Sequence, residues 1–147
     1  MTKMEFSMYL PADSEKLIAL ATDYENFAKF FESQIKSVKI LETKDDKTIT
    51  QEVLVFSTII NREILQQSLH KKINPNKLHT AIILGPFKGS TLEVLYEKIG
   101  TGTKVTVDLD LKLDFKYKIL GPIIKKRYKT VLTGLLYKMN NLVLQSS

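Results

Sequence analysis

Few side chains in this sequence are equipped for chemistry, and cysteine is absent. That absence removes thiolate nucleophiles, disulfides, iron–sulfur clusters and cysteine-ligated zinc. The two histidines are His70 and His79. If their strands pair across a four-residue loop, Ile73-Asn74-Pro75-Asn76, the imidazoles stand opposite each other, about 4.5–5.5 Å apart at Cβ. Two rings at that spacing could share a metal. No third ligand accompanies them and the register puts both on the outer face, so no metal site is expected. Acids recur at Asp108, Asp110 and Asp114. On a half-buried strand they share the wet face, which a solvated sheet surface explains better than a catalytic pair. Neither a Ser–His–Asp arrangement nor a glycine-rich phosphate loop is present. A buried general acid or base would have to be Glu52 or Tyr96, and Glu52 qualifies only if its strand turns that face inward. No catalytic residue and no cofactor is assigned, and the residues favour binding over catalysis.

The elements that must position these groups follow from periodicity. Met4, Phe6, Met8 and Leu10 alternate onto one side of a first strand, which Pro11 ends. Asp13 is an N-cap, and Glu15 suits the positive end of a helix dipole. Leu17, Leu20, Ala21, Tyr24, Phe27, Ala28 and Phe31 recur at helical spacing, with Asp23 able to cap a second short helix. Residues 34–42 and 47–56 are β-rich around a turn at 44–47. Residues 58–73 fit either helix or strand, and the turn chemistry of 73–76 favours strand. Residues 78–84 and 91–99 are further strands, separated by Gly85-Pro86-Phe87-Lys88-Gly89. Gly100-Thr101 makes a two-residue hairpin loop. Along 103–115, Val105, Val107, Leu109, Leu111, Leu113 and Phe115 share one face while Thr106, Asp108, Asp110, Lys112 and Asp114 share the other. After Gly121-Pro122 the period becomes helical, with Ile124, Tyr128, Val131, Leu132, Leu135, Met139 and Leu142 in one stripe and Pro122 in the first turn.

Hairpin registers decide what lies inside. Pairing Lys72 with Lys77 sets Leu69 against Thr80, Gln67 against Ile82 and Leu65 against Leu84. Pairing Leu84 with Ser90 sets Ile82 beside Leu92 and Thr80 beside Val94. Pairing Ile99 with Gly102 sets Tyr96 against Val105, Val94 against Val107 and Leu92 against Leu109. All three turns agree on one apolar face, which the C-terminal helix must cover. The expected fold is α+β, a curved antiparallel sheet around one long helix with two short helices near one end. Gln67, Thr80 and Tyr96 point inward in this scheme. They either bond to one another or to buried water, or they orient a ligand in a hollow.

Lysines and arginines number 22 against 16 acids, for a net charge of +6. Lys125, Lys126, Arg127 and Lys129 form the one dense basic cluster. It reads first as a solvated helix face and second as a contact for RNA phosphates or an anionic membrane. No aromatics alternate with basic residues as stacking platforms do, and no DNA partner is expected. With 147 residues, 44% of them hydrophobic, the chain is expected to form one domain over 1–147. No run approaches the roughly 20 apolar residues of a membrane span. The N-terminus alternates where a signal peptide would be solidly apolar, so a cytoplasmic location is expected.

Pro11-Ala12-Asp13-Ser14-Glu15-Lys16-Leu17, followed by Asp23-Tyr24-Glu25-Asn26-Phe27 and Phe30-Phe31, resembles the opening of the START-like, or SRPBCC, superfamily. Ile35-Lys36-Ser37-Val38-Lys39-Ile40-Leu41-Glu42 resembles its second strand, and Gly102-Thr103-Lys104-Val105-Thr106-Val107 the start of its penultimate long strand. The likeness covers nearly the whole chain and is strongest to the polyketide cyclase/dehydrase and coenzyme-Q-binding branches. It departs at Phe30, where the family often has tryptophan. The resemblance implies the helix-grip fold, a seven-stranded sheet around the C-terminal helix, enclosing a hydrophobic cavity. The cavity would take a lipid, quinone, sterol or polyketide-like molecule. Some members are cyclases or hydrolases and others only bind or carry, a choice that fold does not make. On this chain the expected ligand-binding residues are Phe27, Phe31, Gln67, Thr80, Val94, Tyr96, Val107, Leu109, Tyr128, Leu132 and Leu135, with the short helices and the Gly85-Pro86-Phe87 loop gating access.

Overall fold

The computed structural model describes residues 2–30, 34–55 and 63–146, with the side chains of Phe30 and Lys116 excepted. Phe31, one of the expected ligand-binding residues, therefore lies outside the described residues, as does the stretch 56–62. Among the described residues, seven strands form one antiparallel sheet: β1 (Thr2–Leu10), β2 (Ile35–Lys44), β3 (Lys47–Val55), β4 (Glu63–Asn74), β5 (Lys77–Leu84), β6 (Thr91–Ile99) and β7 (Gly102–Leu111). Their spatial order is β1-β7-β6-β5-β4-β3-β2, so only the β1–β7 pair joins strands distant in sequence. Helix α1 (Ser14–Ala21), a 3-10 turn (Tyr24–Asn26) and α2 (Phe27–Phe30) follow β1, and α3 (Gly121–Gln145) closes the chain. This is the helix-grip fold.

The local causes match the residues. Asp13 caps α1 by accepting from the Lys16 backbone N–H at 3.2 Å. Asp23 makes no side-chain cap to a backbone N–H of the second turn; its carboxylate instead accepts from Asn26 Nδ2 at 2.6 Å. Between β1 and α1 the chain is pinned from two sides. Ala12 N–H donates to Asn140 Oδ1 of α3 at 2.9 Å, and Thr103 Oγ1 donates to the Ala12 carbonyl at 2.8 Å. The core beneath β1, β6 and β7 is apolar, with Leu10, Leu17, Val105 and Val107 fully buried against Leu136, Met139 and Val143 of α3.

On β6 and β7 the register is as the pattern implies, with Tyr96 opposite Val105, Val94 opposite Val107 and Leu92 opposite Leu109. The β5–β6 pairing is slipped by two residues, Thr80 facing Leu92 and Leu78 facing Val94. An even slip leaves every side chain on its face. At β4–β5 the slip is odd. Asn74 Oδ1 accepts from the Asn76 backbone N–H at 3.1 Å, closing a two-residue Pro75-Asn76 loop that pairs Asn74 with Lys77. A bulge then leaves Ile73 unpaired and sets Lys72 opposite Leu78. One residue of slip exchanges the faces of β4. Ile64, Gln66 and Ser68 are buried, and Leu65 is exposed. Gln67 thus faces outward, where it donates to Gln51 Oε1 at 3.1 Å. His70 and His79 do not face each other: His70 pairs with Thr80, and His79 with Lys71.

Strand β7 also ends sooner than alternation implies. After Leu111 the chain turns into a 3-10 segment, Phe115–Leu120, so Phe115 continues no strand face and is 89% exposed.

Candidate ligand-binding cavity

Between the sheet and α3 lies a cavity of about 240 Å³, somewhat below the roughly 300–1,000 Å³ of most ligand pockets. Its walls differ in chemistry. Leu92, Val94, Val107 and Leu109 from β6 and β7 line one side, and Val131, Leu132, Leu135, Leu136 and Met139 from α3 close over it. Tyr24 and Phe27 of the short helices also line it. The opposite wall is mixed: Leu54, Leu78 and Ile82 are interleaved with Thr50 and Glu52 from β3, Gln66, Ser68 and His70 from β4, and Thr80 from β5.

Polar residues of this wall form a directed hydrogen-bond chain. Thr50 Oγ1 donates to Glu52 Oε1 at 2.7 Å. Its oxygen then accepts from His70 Nε2 at 2.8 Å, and His70 Nδ1 meets Thr80 Oγ1 at 2.8 Å. Since Thr50 spends its proton on the carboxylate, the Nε2–H tautomer of neutral His70 satisfies both contacts, with Thr80 as donor to Nδ1. The ring is stacked on Tyr24 with centroids 4.3 Å apart. Burial disfavours the imidazolium and pulls the His70 pKa down to about 4. Burial likewise raises Glu52, and hydrogen bonds from Thr50, Ser68 and its own backbone oppose that rise. Glu52 Oε1 stands 3.8 Å from His70 Nε2, a charge pair only if the ring takes up a proton. Glu52 Oε2 and Gln66 Oε1 are buried without a hydrogen-bond partner. Two buried acceptors on cavity-lining residues are therefore unused, in a protein interior where such groups are ordinarily paired. Burial also holds the Tyr96 and Tyr128 hydroxyls protonated, the Glu52 charge adding to the effect at Tyr128.

Of the expected ligand-binding residues, Phe27, Thr80, Val94, Tyr96, Val107, Leu109, Tyr128, Leu132 and Leu135 line this cavity. Gln67 does not, for the register reason above; its neighbour Gln66 takes the place. Thr50, Ser68 and His70 are not foreseen by the pattern. Three adjacent inward polar residues contradict a simple apolar interior, and the bulge at Ile73 that turns Ser68 and His70 inward has no signature in the alternation. His79 stays on the outer face, 3.0 Å from Glu93 Oε1, so the two histidines are separated by the sheet and cannot share a metal. Phe87 in the loop after β5 is 1% exposed and packs edge-on against Tyr128 at 5.6 Å, a core anchor for that loop. The basic cluster does not form one face: Lys126 is exposed, Arg127 half-buried, and Lys129 lies over the Phe6 ring at 5.5 Å.

Residues 10–140 match the model of the polyketide cyclase/dehydrase and lipid transport family, and the chain belongs to that family. Solved structures agree in fold. A protein from Thermus thermophilus, TTHA0849, superposes with a TM-score of 0.84 at 19% identity, over 99% of both chains. A START superfamily protein from Mycobacterium smegmatis gives 0.83 at 18% identity, also over 99% of both. The Zhui aromatase/cyclase from Streptomyces sp. R1128 gives 0.72 at 11% identity, over 94% of this chain and 93% of that one. No curated protein sequence matches significantly. No helix among the described residues is long and apolar enough to cross a membrane.

Proposed function

We propose that the cavity binds a hydrophobic small molecule carrying a hydroxyl group at one end. The apolar body would lie against Val94, Val107, Leu109, Leu132 and Leu135, and the hydroxyl would donate to Glu52 Oε2 or Gln66 Oε1. The observation that carries this reading is the pair of buried, unpartnered acceptors on the polar wall of an otherwise apolar cavity. The family's description, which includes lipid transport, supports the class of ligand. Native mass spectrometry of the purified protein with solvent extraction tests it. A reproducible co-purifying hydroxylated hydrophobe, lost in a cavity-filling Leu135→Trp variant that still folds, is the expected result. Wild-type protein that purifies empty and takes up no long-chain alcohol or phenol would sink it.

A second reading is an enzyme of the cyclase/dehydratase kind. Its particular support is Glu52, a carboxyl held above its ordinary range beside a neutral imidazole, which is the pairing general acid–base chemistry uses. If that reading holds, the extracted molecule differs in mass between wild type and Glu52→Gln. If the two yield the same molecule, the protein is a binder.

A further inference from the structure

We infer that the corner made by the 3-10 segment Phe115–Leu120 and the first turn of α3 docks on an anionic lipid bilayer, with Phe115, Ile119 and Ile123 entering the headgroup–acyl boundary. Single exposed hydrophobes are ordinary. Here three large ones fall within nine residues, Phe115 at 89%, Ile119 at 88% and Ile123 at 56% exposure. The corner is firmly held behind them. Tyr117 and Ile124 are buried within the same stretch, and Tyr117 packs on Phe87 at 6.4 Å. The Asp114 backbone N–H donates to the Pro86 carbonyl at 3.1 Å. The apolar tips are thus presented outward on a braced support.

Charge points the same way. Of 22 basic and 16 acidic residues in the chain, Lys112–Lys129 contains seven basic and one acidic, leaving fifteen of each elsewhere. The whole formal excess of +6 therefore sits in this one stretch. Exposed Lys112, Lys118 and Lys126 belong to it. Apolar side chains with exposed lysines in the same short stretch are the chemistry of an interfacial anchor: acyl chains take the apolar tips and anionic headgroups take the lysines. RNA fits less well, because Ile119 and Ile123 offer bases no ring to stack on. The corner also abuts the cavity end, since Phe87 bridges Tyr117 and the cavity-lining Tyr128. Docking does not depend on what the cavity holds.

The chain has no tryptophan, so Phe115→Trp supplies a single fluorescent reporter. Full-length protein is mixed with vesicles of phosphatidylcholine alone or with phosphatidylserine added. Binding only to the phosphatidylserine vesicles, a blue-shifted emission and quenching by brominated acyl chains are expected. Neutralising Lys118 and Lys126 together to alanine should weaken binding roughly thirtyfold. Ile119→Asp should weaken it at least about tenfold, with circular dichroism and melting unchanged because the site is exposed. Absence of binding at low salt would overturn the inference. So would lysine-dependent binding with unshifted emission and an indifferent Ile119→Asp variant, or tighter binding to poly(U) RNA than to vesicles.

Discussion

The two walls of the cavity come from one sheet and are built on opposite terms. On β6 and β7 every inward residue from Leu92 to Tyr96 and from Val105 to Leu111 is apolar or aromatic, the hairpin loop is tight and the register has no interruption. On β3, β4 and β5 the inward positions include Thr50, Glu52, Gln66, Ser68, His70 and Thr80, and the β4–β5 ladder is bulged at two places. The first wall is a folding surface, where burial of methyl and methylene groups supplies stability. The second gives up part of that stabilisation for hydrogen-bonding groups held in fixed directions. A sheet can afford such an arrangement only because its other half is conventional, and the chemistry concentrates where the alternation weakens.

The strongest way to break the comparison is to put a charge into the apolar wall. Val107 is fully buried between strands and helix. Val107→Asp should cost more than about 4 kcal/mol and leave little folded protein, because its strand partners Phe6 and Val94 are apolar and offer a carboxylate nothing. Chemical denaturation reads the result. A Val107→Asp variant that folds with modest loss would mean this wall bears no more load than the polar one.

The same contrast explains what could be read from the residues and what could not. Val105, Val107 and Leu109 alternate with Thr106 and Asp108, so only one face of β7 can be the inner one. On β4 the two faces are nearly equivalent in composition: Ile64, Gln66 and Ser68 against Leu65, Gln67 and Leu69. Periodicity could not choose between them, and the choice fell on loop length. A four-residue loop sends Gln67 inward and His70 outward; the Asn74 side chain closes a loop shorter by two, an even change, and the bulge at Ile73 then makes the slip odd and reverses both. Glu52 was recognisable as a candidate only through its type, since its partner strand carries the same ambiguity. Thr80, on a strand displaced by an even number, kept its face despite a wrong register. The seven strands, the short helices and the long closing helix were legible; the polar wall was hidden by one residue of slip.

A smaller effect sharpens the comparison through pH. His70 is neutral when folded, its pKa lowered from 6.5 to about 4. The folded state therefore binds fewer protons than the unfolded chain between these values. The stabilisation is complete above 6.5 and is lost as pH falls through about 4. Compared with His70→Gln, the wild type should lose about 3 kcal/mol more across that acid window. Urea denaturation at a series of pH values measures it. Parallel pH profiles for the two proteins would show that the imidazole is solvated and that the hydrogen-bond chain through Thr50 and Thr80 is not formed.

The smallest effect has the opposite sign and separates the two buried groups. Burial raises the Glu52 pKa from 4.5, so the folded state holds its proton more tightly than the unfolded chain does. Whatever stability Glu52 contributes is present below 4.5 and is lost as pH rises through its folded value. Glutamine keeps an acceptor for Thr50 and carries no charge. Glu52→Gln should therefore match the wild type in acid and exceed it near neutrality by on the order of 1 kcal/mol. No single substitution on the apolar wall removes a charge, because that wall has none to remove. A destabilised Glu52→Gln at neutral pH would mean that the hydrogen bonds from Thr50, Ser68 and the backbone fully satisfy the carboxylate. The polar wall would then be part of the packed framework, with no acceptor left over for a ligand.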